Sequence, residues 1–451
     1  MQNLAQRLKA LRFGDIAIRR NPVFYARACH HLRVLEQADR ERRRGWTRER
    51  LSGVLGDARR LAYGQRVGGA QSLASWPVLD RSTVRAEPGA FLGQAGLFAA
   101  RASTGGTSGS PLPLVRSLPS VVFEQACIDH MMSLLGVVAS RARVAVLRGD
   151  NVKDPSDLRP PFWNYAAGGL RMVLSSNHLN GATVGLYAEA LEKFAPDLLW
   201  AYPTSIESLC VHLNRARRTL AIPRVLTSSE VLRPDAWRLI TETLGCKLLD
   251  YYGQAERVAF AYALAPGEYR FLPGYSHVEL APIHEDETGT LCEIVGTSLW
   301  NRAMPLIRYR TGDLVRVPSS WGPGELEEVA LGLRCFAGIL GRDGDILVSP
   351  DGVRLTGIDH FQRGVPHLVR IQVIQETATE VRILVIPTEA YTEKDETQLL
   401  KNVRGKLPAS MQVRVQYVAE LERTSAGKTP FVIHRPAVKE LLQNAGNQAA
   451  A

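Results

Sequence analysis

The sequence has no pair of cysteines placed to bind a metal or to staple a loop. Its six, Cys29, Cys127, Cys210, Cys246, Cys292 and Cys335, are scattered, without a Cys-x-x-Cys or a close histidine partner. That spacing argues against a zinc site and a disulfide framework, and makes a reducing cytoplasm the expected compartment. No uninterrupted apolar run is long enough to span a bilayer. The opening MQNLAQRLKALRFGDIAIRR has Leu4, Leu8 and Leu11 at helical spacing but no continuous apolar segment. This is the pattern of an amphipathic helix rather than a signal peptide. A Gly-x-Ser-x-Gly elbow and a Ser-His-Asp arrangement are missing too, which argues against serine-hydrolase chemistry.

What is present points to a large globular chain. Its 451 residues, 45% of them hydrophobic, can bury a large core and are expected to form two domains. The net charge of +10 is concentrated near the N-terminus, in DRERRRGWTRERLSG (39–53) and DARR (57–60). Acids interleave with the arginines there, as on a solvated helix face, with an acidic carrier protein or a phosphorylated cofactor as the alternative reading. No nucleic-acid-binding signature accompanies the charge.

From about residue 120 helical and extended patterns alternate. SVVFEQACIDHMMSLLGVVAS suits a helix, RARVAVL a buried strand, Leu198 to Ala201 a short strand between two helices, RVLTSSE a strand, and CKLLDYYG another. Such alternation indicates an α/β sheet with helical crossovers, and loops after its strands are where ligands bind. Beyond 270, HVELAPIHEDETGTLCEIVGTSL reads as a hairpin turning at Glu-Thr-Gly, and EVALGLRCFAGILGRDGDILVSPDGVRL reads as more hairpin with Asp-Gly turns. From 367 the order strand, strand, helix, strand predicts a small α+β domain. The expected fold class is α/β, with a large N-terminal domain of mixed sheets and helices over 1–340 and a small mobile α+β domain over 341–451.

One loop concentrates small and hydroxyl residues. In STGGTSGSP (103–111) the glycines allow successive N–H groups to point inward as an anion nest, and the hydroxyls add donors. Ser110-Pro111 follow Gly109 where a Walker A loop has Lys-Ser/Thr, so this is not a P-loop NTPase. Further along come SSE (228–230), YYGQAE (251–256), RYRTGDLV (308–315), GRDGD (341–345) and RTSAGKTPF (423–431). Asp313 alone suits a turn and Lys428 alone a surface loop. In series, the motifs resemble the adenylate-forming superfamily of acyl-CoA synthetases, peptide-synthetase adenylation domains and luciferases. GTSLWNRAMPLIRYRTGD and YGQAERVAFAYA are most similar to its phenylacetate-CoA ligase and CapK-like branch.

The resemblance implies a ligase that joins a carboxylic acid, aromatic by analogy with the branch, to ATP and forms an acyl-adenylate. The acyl group then passes to a thiol such as coenzyme A, or to an amine or the phosphopantetheine of a carrier protein, with the acceptor left open. It implies that Ser103, Thr104, Gly105, Gly106, Thr107, Ser108 and Gly109 hold the ATP phosphates and that Glu256 holds Mg²⁺. Ser229, Glu230, Tyr252 and Gly253 then border the adenine, Asp313 takes the ribose hydroxyls and Arg342 approaches the nucleotide. Lys428 is the mobile lysine of adenylation, and the small domain turns about a hinge at Gly344. Two positions depart from the family pattern: Ala255 stands where a hydroxyl residue is usual, and Gly344 where an acid or lysine is usual. The family also makes a homodimer a plausible state. HEDE (284–287) reads as a solvated turn rather than a metal site, and His178 as a structural histidine near the region that shapes the acyl pocket.

Overall fold

The structure is a computed structural model and describes residues 18–67, 72–93, 99–103, 112–148, 152–153, 157–176, 178–342, 347–350, 354–355, 358–362, 365, 367–423 and 429–438. The chain divides into two compact units, Met1–Leu340 and Gly341–Ala451.

The first unit opens with helices α1 (Pro22–Glu36) and α2 (Arg40–Arg59). Asp39 caps α2 by accepting from the Arg42 amide at 2.9 Å. The arginine-rich face of α2 is not simply solvated. Arg40 and Arg44 both pair with Glu327, and Arg43 is 7% exposed, donating to the carbonyls of Glu36, Ala38 and Leu331. Those carbonyls end helices or turns and lack intrahelical partners, so a buried guanidinium with five donors suits them.

A hairpin of β1 (Ala99–Ser103) and β2 (Pro113–Ser117) follows, then helix α3 (Leu118–Leu134). The central sheet is built from β3 (Val144–Leu147), β4 (Trp163–Ala166), β5 (Arg171–Leu174), β6 (Leu198–Ala201), β7 (Arg224–Ser228), β8 (Lys247–Gly253), β9 (Phe260–Ala263) and β10 (Arg270–Phe271), in the order β10-β9-β8-β7-β6-β3-β5-β4. The five strands β3, β5, β6, β7 and β8 are parallel. They are short apolar runs because helices cover both faces. Leu199, Val225 and Leu248 point into one core with helices α4 (Val184–Phe194), α5 (Pro203–Arg215) and α6 (Pro234–Leu244). Leu198, Leu226 and Leu249 point the other way, into a core shared with α1 and α3. Helix α6 shows how the sequence sets a crossover. Pro234 starts it, Trp237, Ile240 and Leu244 form its buried stripe, and Gly245 ends it at φ +61°.

A second sheet runs β11 (Ser276–Asp286), β12 (Gly289–Ser298), β13 (Tyr309–Val317) and β14 (Ile339–Arg342). The hairpin reading of 328–355 is corrected at its start, since Pro323–Ala330 is a helix. Pro323 at its first position and the Glu325 carboxylate accepting from the Gly322 amide start the helix, and Val329 is fully buried. The alternation in EVALGL is too short to tell a buried helical face from a strand.

The second unit holds a two-stranded ribbon, β15 (Leu347–Val348) with β16 (Arg354–Leu355), and a sheet of β17 (Leu368–Gln375), β18 (Glu380–Pro387), β19 (Gln412–Tyr417) and β20 (Val432–His434), ordered β19-β18-β17-β20. Helix α7 (Glu393–Arg404) buries Leu399 and Val403 with Ile371, Val373 and Ile383. The buried Gln375 amide ties ribbon to sheet, accepting from the Val348 N–H at 2.9 Å and donating to its carbonyl at 2.6 Å.

Candidate active site

Strands β7 and β8 end on the same edge of the central sheet, and the stretch from the last residues of β8 to Glu256 is braced at both ends by β13. At one end the Tyr252 hydroxyl donates to Asp313 Oδ2 at 2.5 Å; at the other the Tyr309 hydroxyl donates to Glu256 Oε1 at 3.0 Å. Burial, then the Asp313 charge, pushes the Tyr252 pKa far up, so the hydroxyl stays protonated and remains a donor. Gln254 spans the turn, bonding the Tyr252 hydroxyl and accepting from the Ala259 amide at 3.1 Å.

Asp313 is presented by a local irregularity in β13 rather than by an ordinary turn. The β12–β13 register shifts between Glu293 and Val295, and Gly312 adopts φ +72°, a conformation glycine reaches without a Cβ clash. The buried Glu293 carboxylate fixes this bulge, accepting from the Gly312 amide at 3.1 Å and from Arg310 at 2.6 Å and 2.8 Å. Thr311 completes it by donating to the Ile294 carbonyl and accepting from the Asp313 amide. The sequence RTGD is thus a bulge motif whose glycine and threonine set where its aspartate lies.

At the end of β7, Ser229 takes φ +74°, unusual for a residue with a Cβ, and its Oγ accepts from Arg148 at 3.3 Å. Glu230 turns one carboxylate oxygen onto the Thr204 amide, 3.0 Å away at the start of α5. Gly253 is not demanded by packing, since a Cβ there would meet only Phe260 at 3.5 Å.

Ser103 ends β1 opposite Pro113 on β2, so the hairpin brackets the small-residue loop. Thr104, Gly105, Gly106, Thr107, Ser108 and Gly109 lie outside the described residues, as do Gly344 and Lys428. Arg342 closes β14, its side chain outside the described set. Below the loop, Arg116 on β2 donates to the Ala255 carbonyl at 2.6 Å, tying the hairpin to the residue before Glu256. Burial, and then neighbouring Arg257, pushes the Arg116 pKa down to about 10. Its Nε is buried without a partner among the described residues.

Glu256 suits a magnesium ion held mostly by phosphate oxygens and water. Its carboxylate is 7% exposed and pairs with no cation among the described residues. Among those residues no group of three or more histidine, cysteine or acidic side chains could hold a metal by itself. A single protein carboxylate is the donor set Mg²⁺ takes beside a nucleotide. HEDE carries no metal cluster either, and its Asp286 is engaged by Thr288 and Arg316. His178 is 2% exposed, with Nδ1 2.7 Å from Ser175 Oγ and its ring stacked on Phe162, while Nε2 has no partner among the described residues.

The sequence reading missed Arg116, Arg148, Glu293 and Tyr309. Tyr309 sits inside RYRTGD, and its position four residues before Asp313 was the available signal. The arginines had none, being two among many in a strongly basic chain.

Comparison with known proteins completes the picture. Residues 347–435 match the CapK C-terminal domain family. Protein CapK of Staphylococcus aureus is 22% identical over 343 residues, covering 73% of this chain and 73% of that protein. A phenylacetate-coenzyme A ligase of Pseudomonas putida is 24% identical over 265 residues, covering 56% of this chain and 53% of the ligase, about half its length. The solved structure of 2-hydroxyisobutyryl-CoA ligase in the postadenylation state, in complex with R3-HIB-AMP, matches with a TM-score of 0.60 over 91% of this chain and 93% of that one, at 14% identity. Residues 347–435 thus match the CapK C-terminal domain family, the chain is similar over most of its length to Protein CapK, and its fold is that of the solved 2-hydroxyisobutyryl-CoA ligase.

Proposed function

We propose that this protein activates a carboxylic acid with ATP and passes the acyl group to a thiol such as coenzyme A. The carboxylate oxygen attacks the α-phosphorus, the bond to pyrophosphate breaks, and an acyl-adenylate remains. The thiol sulfur then attacks the acyl carbon, releasing AMP and a proton. The observation that carries this reading is the double brace of β13 on the stretch from the end of β8 to Glu256. It sets an aspartate beside a tyrosine hydroxyl, and four residues beyond that tyrosine a buried glutamate that pairs with no cation among the described residues.

In this reading Asp313 accepts the ribose hydroxyls through its two oxygens, and the aromatic face of Tyr252 borders the adenine. Ser229, Glu230, Gly253 and Arg342 contribute to the nucleotide edge. The loop Ser103–Gly109 cradles the β and γ phosphates with backbone N–H groups. Glu256 would hold Mg²⁺, which neutralises charge as pyrophosphate departs. Lys428, carried by the second unit (341–451), supplies a compact ammonium for the acid's carboxylate and the α-phosphate, with Gly344 as hinge. The first unit (1–340) is the ATP- and acid-binding domain.

The test is pyrophosphate release across a panel of carboxylic acids, followed by product mass with coenzyme A, glycine, lysine or a carrier protein added. Release that depends on one class of acid, and a mass increment matching the coenzyme A thioester, are expected. Acid-dependent release with an amide or carrier-bound product instead would replace the thiol acceptor while keeping the adenylation step.

A further inference from the structure

The strand order of the central sheet places a topological switch between β3 and β6. The chain leaves β3 towards β5 on one side and leaves β6 towards β7 on the other. In open α/β sheets ligands bind in the crevice at the carboxyl ends of such a strand pair. Arg148, the first residue after β3, stands at that point. Its guanidinium carbon lies 4.5 Å from the ring centre of Trp200 and 5.2 Å from that of Tyr202, residues at the carboxyl end of β6. One terminal nitrogen donates to Ser229 Oγ at 3.3 Å.

Among the described residues the Arg148 Nε is buried with no hydrogen-bond partner, and no carboxylate pairs with its guanidinium. Arginines that serve the scaffold here look different. Arg233 is paired with Glu207 and Asp235, and Arg310 with Glu293. An arginine held against two aromatic faces, with a buried unpartnered Nε, a terminal nitrogen near the surface and no counter-ion among the described residues, is pre-organised to receive an anion.

The anion is best one that keeps its charge throughout the reaction. A guanidinium clamped on the reacting carboxylate would stabilise the ground state, whose charge must be surrendered as the acyl-adenylate forms. We propose that Arg148 is a specificity-determining residue that binds a second carboxylate on the acid substrate, so that the enzyme activates dicarboxylic acids. This rests on the adenylation reading above. Ser229, which borders the nucleotide in that reading, also holds Arg148, so the second carboxylate lies on the acyl side of the nucleotide edge.

The experiment measures kcat/KM for acid-dependent pyrophosphate release with dicarboxylic acids of increasing length, each paired with its monoamide. The wild type is expected to prefer the diacid at its best length by about thirtyfold or more, the range for a charge-assisted bidentate pair. Arg148→Gln is expected to bring that ratio within about threefold while leaving the KM for ATP unchanged. Arg148→Lys, which keeps the charge but not the fork, is expected to retain part of the preference and guards against a glutamine variant that does not fold. Equal loss for diacid and monoamide, a rise in the KM for ATP with every acid, or a wild type without diacid preference would each overturn the assignment. Failure of the adenylation reading is distinct: no acid of either kind would then release pyrophosphate.

Discussion

Strand β8 takes part in two tyrosine–aspartate pairs, each with a buried carboxylate and nearly the same geometry, at different points along its length. In its middle, Asp250 accepts from Tyr269 at 2.6 Å and from Thr227 at 2.6 Å, enclosed by the core on both faces. At its carboxyl end, Tyr252 donates to Asp313 at 2.5 Å, where loops replace helices. Burial pushes the Asp250 pKa up to about 6, against the hydrogen bonds that favour its charged form. A hydrogen-bonded acid in the sheet is therefore not a site by itself. Position along the strand separates the two, because only the carboxyl edge of a parallel sheet leaves room for a ligand.

The largest expected effect falls on the edge pair. Asp313→Ala should lower kcat/KM for pyrophosphate release by about a thousandfold, the scale for a lost charged contact to the reacting ligand, while unfolding free energy changes by no more than about 1 kcal/mol. A large stability loss with normal activity would reverse the assignment of the two pairs. The core pair should behave in the opposite way. Asp250→Ala at pH 5 should cost about 3 kcal/mol in denaturant unfolding, since it opens a cavity and strands two hydroxyls. Activity of the folded fraction should change by less than about threefold.

The pH dependence separates the pairs further. Because the folded-state pKa of Asp250 is raised from 3.8 to about 6, its contribution to stability is complete below the lower value and is lost as pH rises through the upper. Relative to Asp250→Asn, the wild type should thus lose roughly 3 kcal/mol between pH 4 and pH 7. A flat difference between the two titrations would show that Asp250 is already ionised when buried. The smallest effect is expected of Tyr309→Phe. Removing its bond to Glu256 should raise the magnesium needed for half-maximal rate about three- to tenfold with little change in saturated kcat.

The sequence was most legible where chemistry is local. Strands such as Leu198–Ala201 were readable because both their faces are buried and their residues are apolar in an unbroken run. Asp313 was readable through RTGD, whose glycine and threonine build the bulge that presents it. Long-range partners were not readable. Glu293 fixes that bulge from the neighbouring strand, and Arg148 and Arg116 acquire meaning only when the sheet and the hairpin put them beside Ser229 and Ala255. The partners of Arg40 on α2 were unreadable for the same reason: Glu327 and Glu328 lie nearly three hundred residues away.

The central claim is that the edge of β8 carries an adenylation site, and isotope exchange between pyrophosphate and ATP tests it most directly. With a suitable acid and Mg²⁺, the wild type should exchange label into ATP, and both Glu256→Gln and Lys428→Ala should exchange at least about a hundredfold more slowly. Exchange that no acid stimulates, or that survives both substitutions undiminished, would contradict it.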